Sequence, residues 1–224
     1  MMIVTIDGPS GTGKTTVAKE VAKRLSFVYF DTGAMYRALT WTLLQKKISL
    51  QDSKALEQCL LSFDFQITEK QGVKHYFVDQ IDLTDKIRSR EVTQAVSAVA
   101  ALKVVRASLL KLQRRFAEGQ SVVFEGRDLG TVVFPEAKVK IFLTADPRVR
   151  AERRLQELLK KDPAAMQGLT HEQVLNDLIR RDTLDSTREV APLLCPPDAF
   201  VVDTTPLSIE QVVDQIISHC GELR

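Results

Sequence analysis

Residues 8–15 read Gly-Pro-Ser-Gly-Thr-Gly-Lys-Thr, directly after the apolar run from Met1 to Ile6 and directly before a helical apolar pattern at Val17, Ala18, Val21, Ala22 and Leu25. A strand, a glycine-rich turn and a helix in this order make a phosphate cradle. The turn's backbone N–H groups can wrap phosphate oxygens, and the helix N-terminus adds the positive end of its dipole. The GxxxxGK[ST] spacing supplies the rest: Lys14 for the transferred group and the Thr15 hydroxyl for Mg²⁺. Gly8, Pro9, Ser10, Gly11, Thr12, Gly13, Lys14, Thr15 and Thr16 are therefore the expected phosphate contacts, with Thr15 the expected metal-binding residue.

At 224 residues the chain suits one large domain, with room for a small insertion. A formal charge of +2 is too balanced to favour nucleic acid, so a small phosphate compound is the expected partner. Cys59, Cys195 and Cys220 are odd in number and lack CxxC spacing, which argues against a disulfide framework or a zinc site and for a reducing compartment. No signal-peptide pattern and no run of membrane-spanning length is evident, so the expectation is a soluble, cytoplasmic chain with no membrane partner.

Short apolar segments at Met1–Asp7, Phe27–Phe30, Ser121–Glu125, Val139–Thr144 and Ala199–Asp203 alternate with helical stretches, which predicts parallel βαβ units. Helix starts are signalled by Thr170 and Ser208, each a hydroxyl three residues before a glutamine, and by Asp146-Pro147. The helix from Thr170 ends before Pro192. Alternation at Phe63, Phe65 and Ile67, then Gln71-Gly72, then His75, Phe77 and Val78 predicts a β-hairpin. A β-rich insertion is placed at about residues 62–90, followed by a long helix from about Thr93 to Ala117.

Guanine-reading switches use Asn-Lys-x-Asp, whereas the one asparagine here is Asn176 in Asn-Asp-Leu, so ATP is the expected donor. Three arginine-bearing segments suggest a second anion site: Asp31-Thr32-Gly33-Ala34-Met35-Tyr36-Arg37 after the second strand, Glu125-Gly126-Arg127-Asp128 after the third, and Arg181, Asp185 and Arg188 on one helix face. Planar, permanently charged guanidinium forks suit phosphate oxygens. Taken one at a time, Arg181 to Arg188 also reads as a solvated helix with i,i+4 ion pairs, Arg127 beside Asp128 as a local ion pair at a strand end, and Tyr36 with Arg37 as a helix's first turn.

GPSGTGKTT, DTGAMYR, EGRDLGTVVFP and RRDTLDSTREVAPL, in this order and with a β insertion between the second and third, resemble bacterial cytidylate kinase over essentially the whole chain. The resemblance implies an α/β P-loop fold: a parallel sheet flanked by helices, a small β-rich monophosphate-binding insertion and a helical lid. It implies transfer of the γ-phosphoryl of Mg·ATP to CMP or dCMP by a monomer. It places Arg37, Arg127 and Arg188 on the acceptor phosphate, where with Lys14 they form the catalytic set. Thr32, Arg106 and Asp128 fall near cytosine, with Tyr36 in the same pocket, and Ser97, Arg181 and Asp185 toward the ribose.

A carboxylate at Asp128 can accept from the cytosine amine and would face a carbonyl in uracil. Ser97 and Arg106 are nine residues apart, so an unbroken helix would point them to opposite faces, and no proline or glycine between them announces a break. The basic segment 148–188 reads as a lid with Arg153 and Arg154 as its donor-side cations; any single arginine there also reads as part of a solvated cationic face on a helix packed through Leu155, Leu158 and Leu159. His171-Glu172 begins like HExxH but has Leu175 where the second histidine belongs. The rival readings are a kinase for another small acceptor such as UMP or shikimate, and a non-kinase P-loop ATPase switch.

Overall fold

The computed structural model describes residues 1–70, 73–161 and 168–222. They form two compact units, one made of Met1–Phe30 with Ala117–Arg224 and the other of Asp31–Phe116.

The first unit is built on a parallel sheet. Its strands are β1 (Ile3–Asp7), β2 (Val28–Asp31), β6 (Val122–Glu125), β7 (Val139–Thr144) and β8 (Phe200–Asp203), in the order β2-β6-β1-β7-β8. Each starts within two residues of the segment expected for it. Central β1 pairs with β6 through Ile3↔Val122 and with β7 through Val4↔Val139. Val4, Thr5 and Ile6 are fully buried, as a strand covered on both faces requires. Helices α1 (Lys14–Leu25), α6 (Pro147–Lys161), α7 (His171–Thr187) and α8 (Ile209–Glu222) complete the unit. Val17, Val21, Val213 and Ile216 pack with Val4, Ile6, Ile141 and Leu143 in one core.

The start signals act as read. Thr170 accepts from Gln173 N at 3.2 Å while the Gln173 side chain accepts from Thr170 N at 2.9 Å, a reciprocal capping box. Ser208 and Gln211 do the same for α8, and Asp146 accepts from Arg148 N and Val149 N ahead of α6. α6 and α7 share a small cluster of Ala151, Leu155, Val174, Leu175 and Leu178. Of the three leucines expected to pack α6, Leu155 does so, whereas Leu159 is 39% exposed. Part of the 148–188 segment, residues 162–167, lies outside the described residues.

The second unit holds α2 (Thr32–Gln45), α3 (Ser53–Leu61), an antiparallel sheet of β3 (Phe65–Lys70), β4 (Val73–Val78) and β5 (Ile81–Asp82), then α4 (Arg90–Ala101) and α5 (Lys103–Ala117). β3 and β4 pair from Phe65↔Val78 to Lys70↔Val73, and the Gln71-Gly72 turn expected there lies outside the described residues. The single long helix expected over 93–117 is instead two. Leu102 has φ −72° and ψ 124°, an extended conformation that ends α4. Tertiary hydrogen bonding supports the break: Arg106 Nη1 donates to Ala100 O at 3.1 Å, satisfying a carbonyl near the helix end.

In the first unit, β1 brings its C-terminal end against β7. At Gly8, with φ 145°, an added Cβ would sit 2.2 Å from Leu143 O, a backbone atom that cannot yield. Gly8→Ala should lower unfolding stability by about 3 kcal/mol; chemical denaturation checks this, and an unchanged midpoint would contradict the contact.

Candidate active site

The phosphate loop sits where the chain leaves β1, between the ends of β6 and β7, the position at which open parallel sheets bind ligands. Gly13 is left-handed at φ 87° and starts α1. Lys14 is 6% exposed, and its Nζ donates to Pro9 O at 2.5 Å and Thr12 Oγ1 at 3.4 Å. Burial holds the Lys14 ammonium well below its usual range, Arg127 pushes the same way, and Glu125, Asp182 and Asp7 oppose them. An arriving anion would relieve that strain on the charge.

Thr15 Oγ1 donates to Glu125 Oε2 at 3.0 Å, and the Tyr29 hydroxyl donates to the other carboxylate oxygen. A hydroxyl beside a carboxylate is the hard-oxygen chemistry that Mg²⁺ prefers, so these residues fit that ion. Thr16 is exposed. Arg153 donates to Thr204 Oγ1 at 3.0 Å and Thr204 O at 2.7 Å, and Thr204 Oγ1 donates to Thr12 O at 3.3 Å. Arg153 thus reaches the loop through Thr204, whereas Arg154 pairs with Glu157 on its own helix at 2.7 Å.

The arginine cluster of this unit is cross-linked by carboxylates. Arg127 Nε donates to Asp185 Oδ2 at 2.9 Å, and Arg188 Nη2 donates to Asp128 Oδ1 at 3.2 Å. Arg188 also lies 3.9 Å from Asp185. The local Arg127-Asp128 pair that adjacency suggests is therefore replaced by pairs to α7 and its C-cap, Arg188. Burial works against the Arg127 charge, but Asp185, Asp182 and Glu125 more than offset it and raise its pKa. Arg181 differs. Burial and the nearby Arg127 lower its pKa, and its buried Nε has no hydrogen-bond partner among the described residues. A half-buried guanidinium with a buried, unsatisfied Nε calls for an anion or a polar ligand group.

In the second unit, Asp31 accepts from Ala34 N at 2.9 Å and caps α2, placing Thr32, Tyr36 and Arg37 in its first turns. Arg37 Nη1 donates to Thr93 Oγ1 at 2.9 Å and to Ile87 O at 3.3 Å. The Arg106 guanidinium lies over the Tyr36 ring, 5.6 Å from its centroid, and is 7% exposed. Ser97 is half-buried on α4, one turn beyond Thr93. The extended residue at Leu102 removes the geometric objection to Ser97 and Arg106 serving one pocket, since they no longer share a helix.

The cytidylate kinase family model matches residues 4–222. A cytidylate kinase of Protochlamydia amoebophila is 51% identical over 218 residues, covering 97% of this chain and 96% of that protein. The chain belongs to the cytidylate kinase family. A second relative, the cytidylate kinase of Carboxydothermus hydrogenoformans, is 44% identical over 220 residues, covering 98% of this chain and 97% of that protein. An uncharacterised protein of Eubacterium ventriosum superposes with a TM-score of 0.54 at 13% identity, over 99% of this chain and 98% of its own, a likeness of fold alone. Membership of the cytidylate kinase family makes this chain a kinase.

Several residues of this cytidylate kinase fold escaped the motif-based reading. Glu125 ends an apolar strand and stands two residues before Arg127, a signal that its place beside Thr15 makes meaningful. Asp182 and Arg150 bond to Ser10, and Thr93 bonds to Arg37. Asp7 accepts from Leu129 N at 3.0 Å and Gly130 N at 2.8 Å. Burial pushes its carboxyl up to about 6 against these amides, with Asp128 adding to the rise.

Because Asp7 holds its proton more tightly folded than unfolded, the native chain binds the extra proton between about pH 4 and 6, and stability falls as pH rises through that window. The slope should reach up to about 1.4 kcal/mol per pH unit. Denaturation at pH 4, 5 and 6 should show it in the parent chain and not in Asp7→Asn; equal slopes would refute a raised Asp7.

Proposed function

We propose that this kinase transfers the γ-phosphoryl group of Mg·ATP to CMP or dCMP, giving CDP or dCDP and ADP, as the names of its relatives suggest. The observation that carries the reading is the pair of anion-seeking centres in one unit. Lys14 is a buried ammonium depressed by its surroundings, and Arg181 is a half-buried guanidinium beside Arg127 whose buried Nε has no hydrogen-bond partner among the described residues. A phosphoryl donor and a phosphorylated acceptor each bring the negative charge that such centres lack.

In this reading Lys14 and the loop amides hold the donor's outer phosphates, and Thr15 with Glu125 holds Mg²⁺. The ion neutralises phosphate charge when bound. Arg127, Arg188 and Arg37 take the acceptor phosphate. Asp128, 6% exposed and anchored by Arg188, accepts from the cytosine amine, with Thr32, Tyr36 and Arg106 around the base. Asp185, Arg181 and Ser97 face the ribose. Arg153 and Arg154 approach the donor from the 148–188 segment, which acts as a lid that excludes water. Little covalent chemistry is asked of the protein; alignment and charge stabilisation supply the acceleration. We place the enzyme in the cytoplasm, where thiols stay reduced, in keeping with Cys59, Cys195 and Cys220 forming no disulfide among the described residues, and we take it to be a monomer.

An acceptor panel with Mg·ATP tests this directly. CMP and dCMP should turn over and UMP and shikimate should not; UMP turnover equal to that of CMP would sink the assignment. Lys14→Ala should reduce turnover at least tenfold, about 1.4 kcal/mol of barrier. Asp128→Ala should narrow the preference for CMP over UMP, and intact selectivity would remove Asp128 from base reading.

A further inference from the structure

Ser10, in the phosphate loop, is gripped by its backbone from two helices. Its N–H donates to Asp182 Oδ1 on α7 at 3.0 Å, and its carbonyl accepts from Arg150 Nη1 on α6 at 2.8 Å. The same Arg150 nitrogen donates to the other Asp182 oxygen, and Arg150 Nε donates to Ala145 O at 3.1 Å. Arg150 is 5% exposed. The loop is in contact as well as bonded, since a Cβ at Gly11 would come within 3.1 Å of Arg150 Cβ.

Asp182 also stands at a particular place along α7. It follows Arg181, whose Nε has no hydrogen-bond partner among the described residues, and precedes by three residues Asp185, which holds Arg127. α7 is 17 residues long and capped at its start, so Arg181, Asp182 and Asp185 are held at fixed spacing on one element. A shift at Asp182 is therefore a shift at Arg181 and Asp185. Its carboxylate opposes the cationic surroundings of Lys14, Arg127 and Arg181, the charges that incoming phosphates would meet.

We propose that Asp182, held by Arg150, is a positioning residue that ties the phosphate loop to the acceptor-binding face of α7, so that filling one site raises affinity at the other. The inference rests on the donor and acceptor reading given above. The physical basis is a shared ordering step: a ligand on Arg181 and Asp185 fixes α7, α7 fixes Ser10 through Asp182, and a fixed loop binds a polyphosphate without first being ordered. By linkage the donor must favour the acceptor by the same factor.

Calorimetric titration of a non-hydrolysable Mg·ATP analogue, with and without saturating CMP, measures the coupling. In the parent chain CMP should tighten analogue binding roughly fivefold or more. In Asp182→Ala the factor should fall toward one, and Asp182→Asn, which keeps an acceptor for Ser10 N but loses the charge that holds Arg150, should fall between the two. The Asn variant carries the test if the Ala variant fails to unfold cooperatively. A merely structural role would weaken both ligands and leave their ratio intact, and that result, or no coupling in the parent chain, overturns the proposal. Failure of CMP to bind the parent chain on its own is a different result: it overturns the acceptor reading and this inference with it.

Discussion

The phosphate-binding end of this kinase depends on one backbone corner, the step from Asp7 to Gly8. Asp7 accepts two amides from the turn after β6, while Gly8 lies against the Leu143 carbonyl of β7 where no side chain fits. β1 is thereby locked to its two neighbours at the level where the loop begins. Glu125 at the end of β6, Arg127 just after it and Arg150 after β7 are brought to the loop by the same constraint. The lock is electrostatically tense, since it buries a carboxyl whose proton affinity rises to about 6.

Around that corner the charges are arranged for guests. Ion pairs as enclosed as Arg188 with Asp128 add little net stability, because desolvation offsets most of the attraction. Their effect is geometric: Asp185 stands between Arg127 and Arg188, and each guanidinium is aimed by a carboxylate partner. Arg181 is left with a vacant donor, and Lys14 is turned back onto the loop's own oxygens. These are preorganised but incompletely satisfied groups, which is what differential binding of a phosphoryl group needs.

Legibility followed sequence distance. The strands of the parallel sheet and the starts of α6, α7 and α8 were readable because apolar runs and capping pairs act within a few residues. The helix break at Leu102 was not, because no local breaker marks it, and one carbonyl near it is answered by Arg106 from the next helix. Arg127 next to Asp128 looked like a neighbourly pair, yet each found its partner on or just beyond α7, 58 or 60 residues away.

Local sequence by itself determined the cradle, the alternation of strands and helices, and the set of cations and carboxylates available, since backbone preference and residue chemistry are properties of short segments. Tertiary structure alone decided which carboxylate serves which cation, that Glu125 stands by Thr15, and that Asp182 and Arg150 grip Ser10. Charge pairing and burial are set by what the folded chain brings within a few ångströms, and no local pattern encodes that distance.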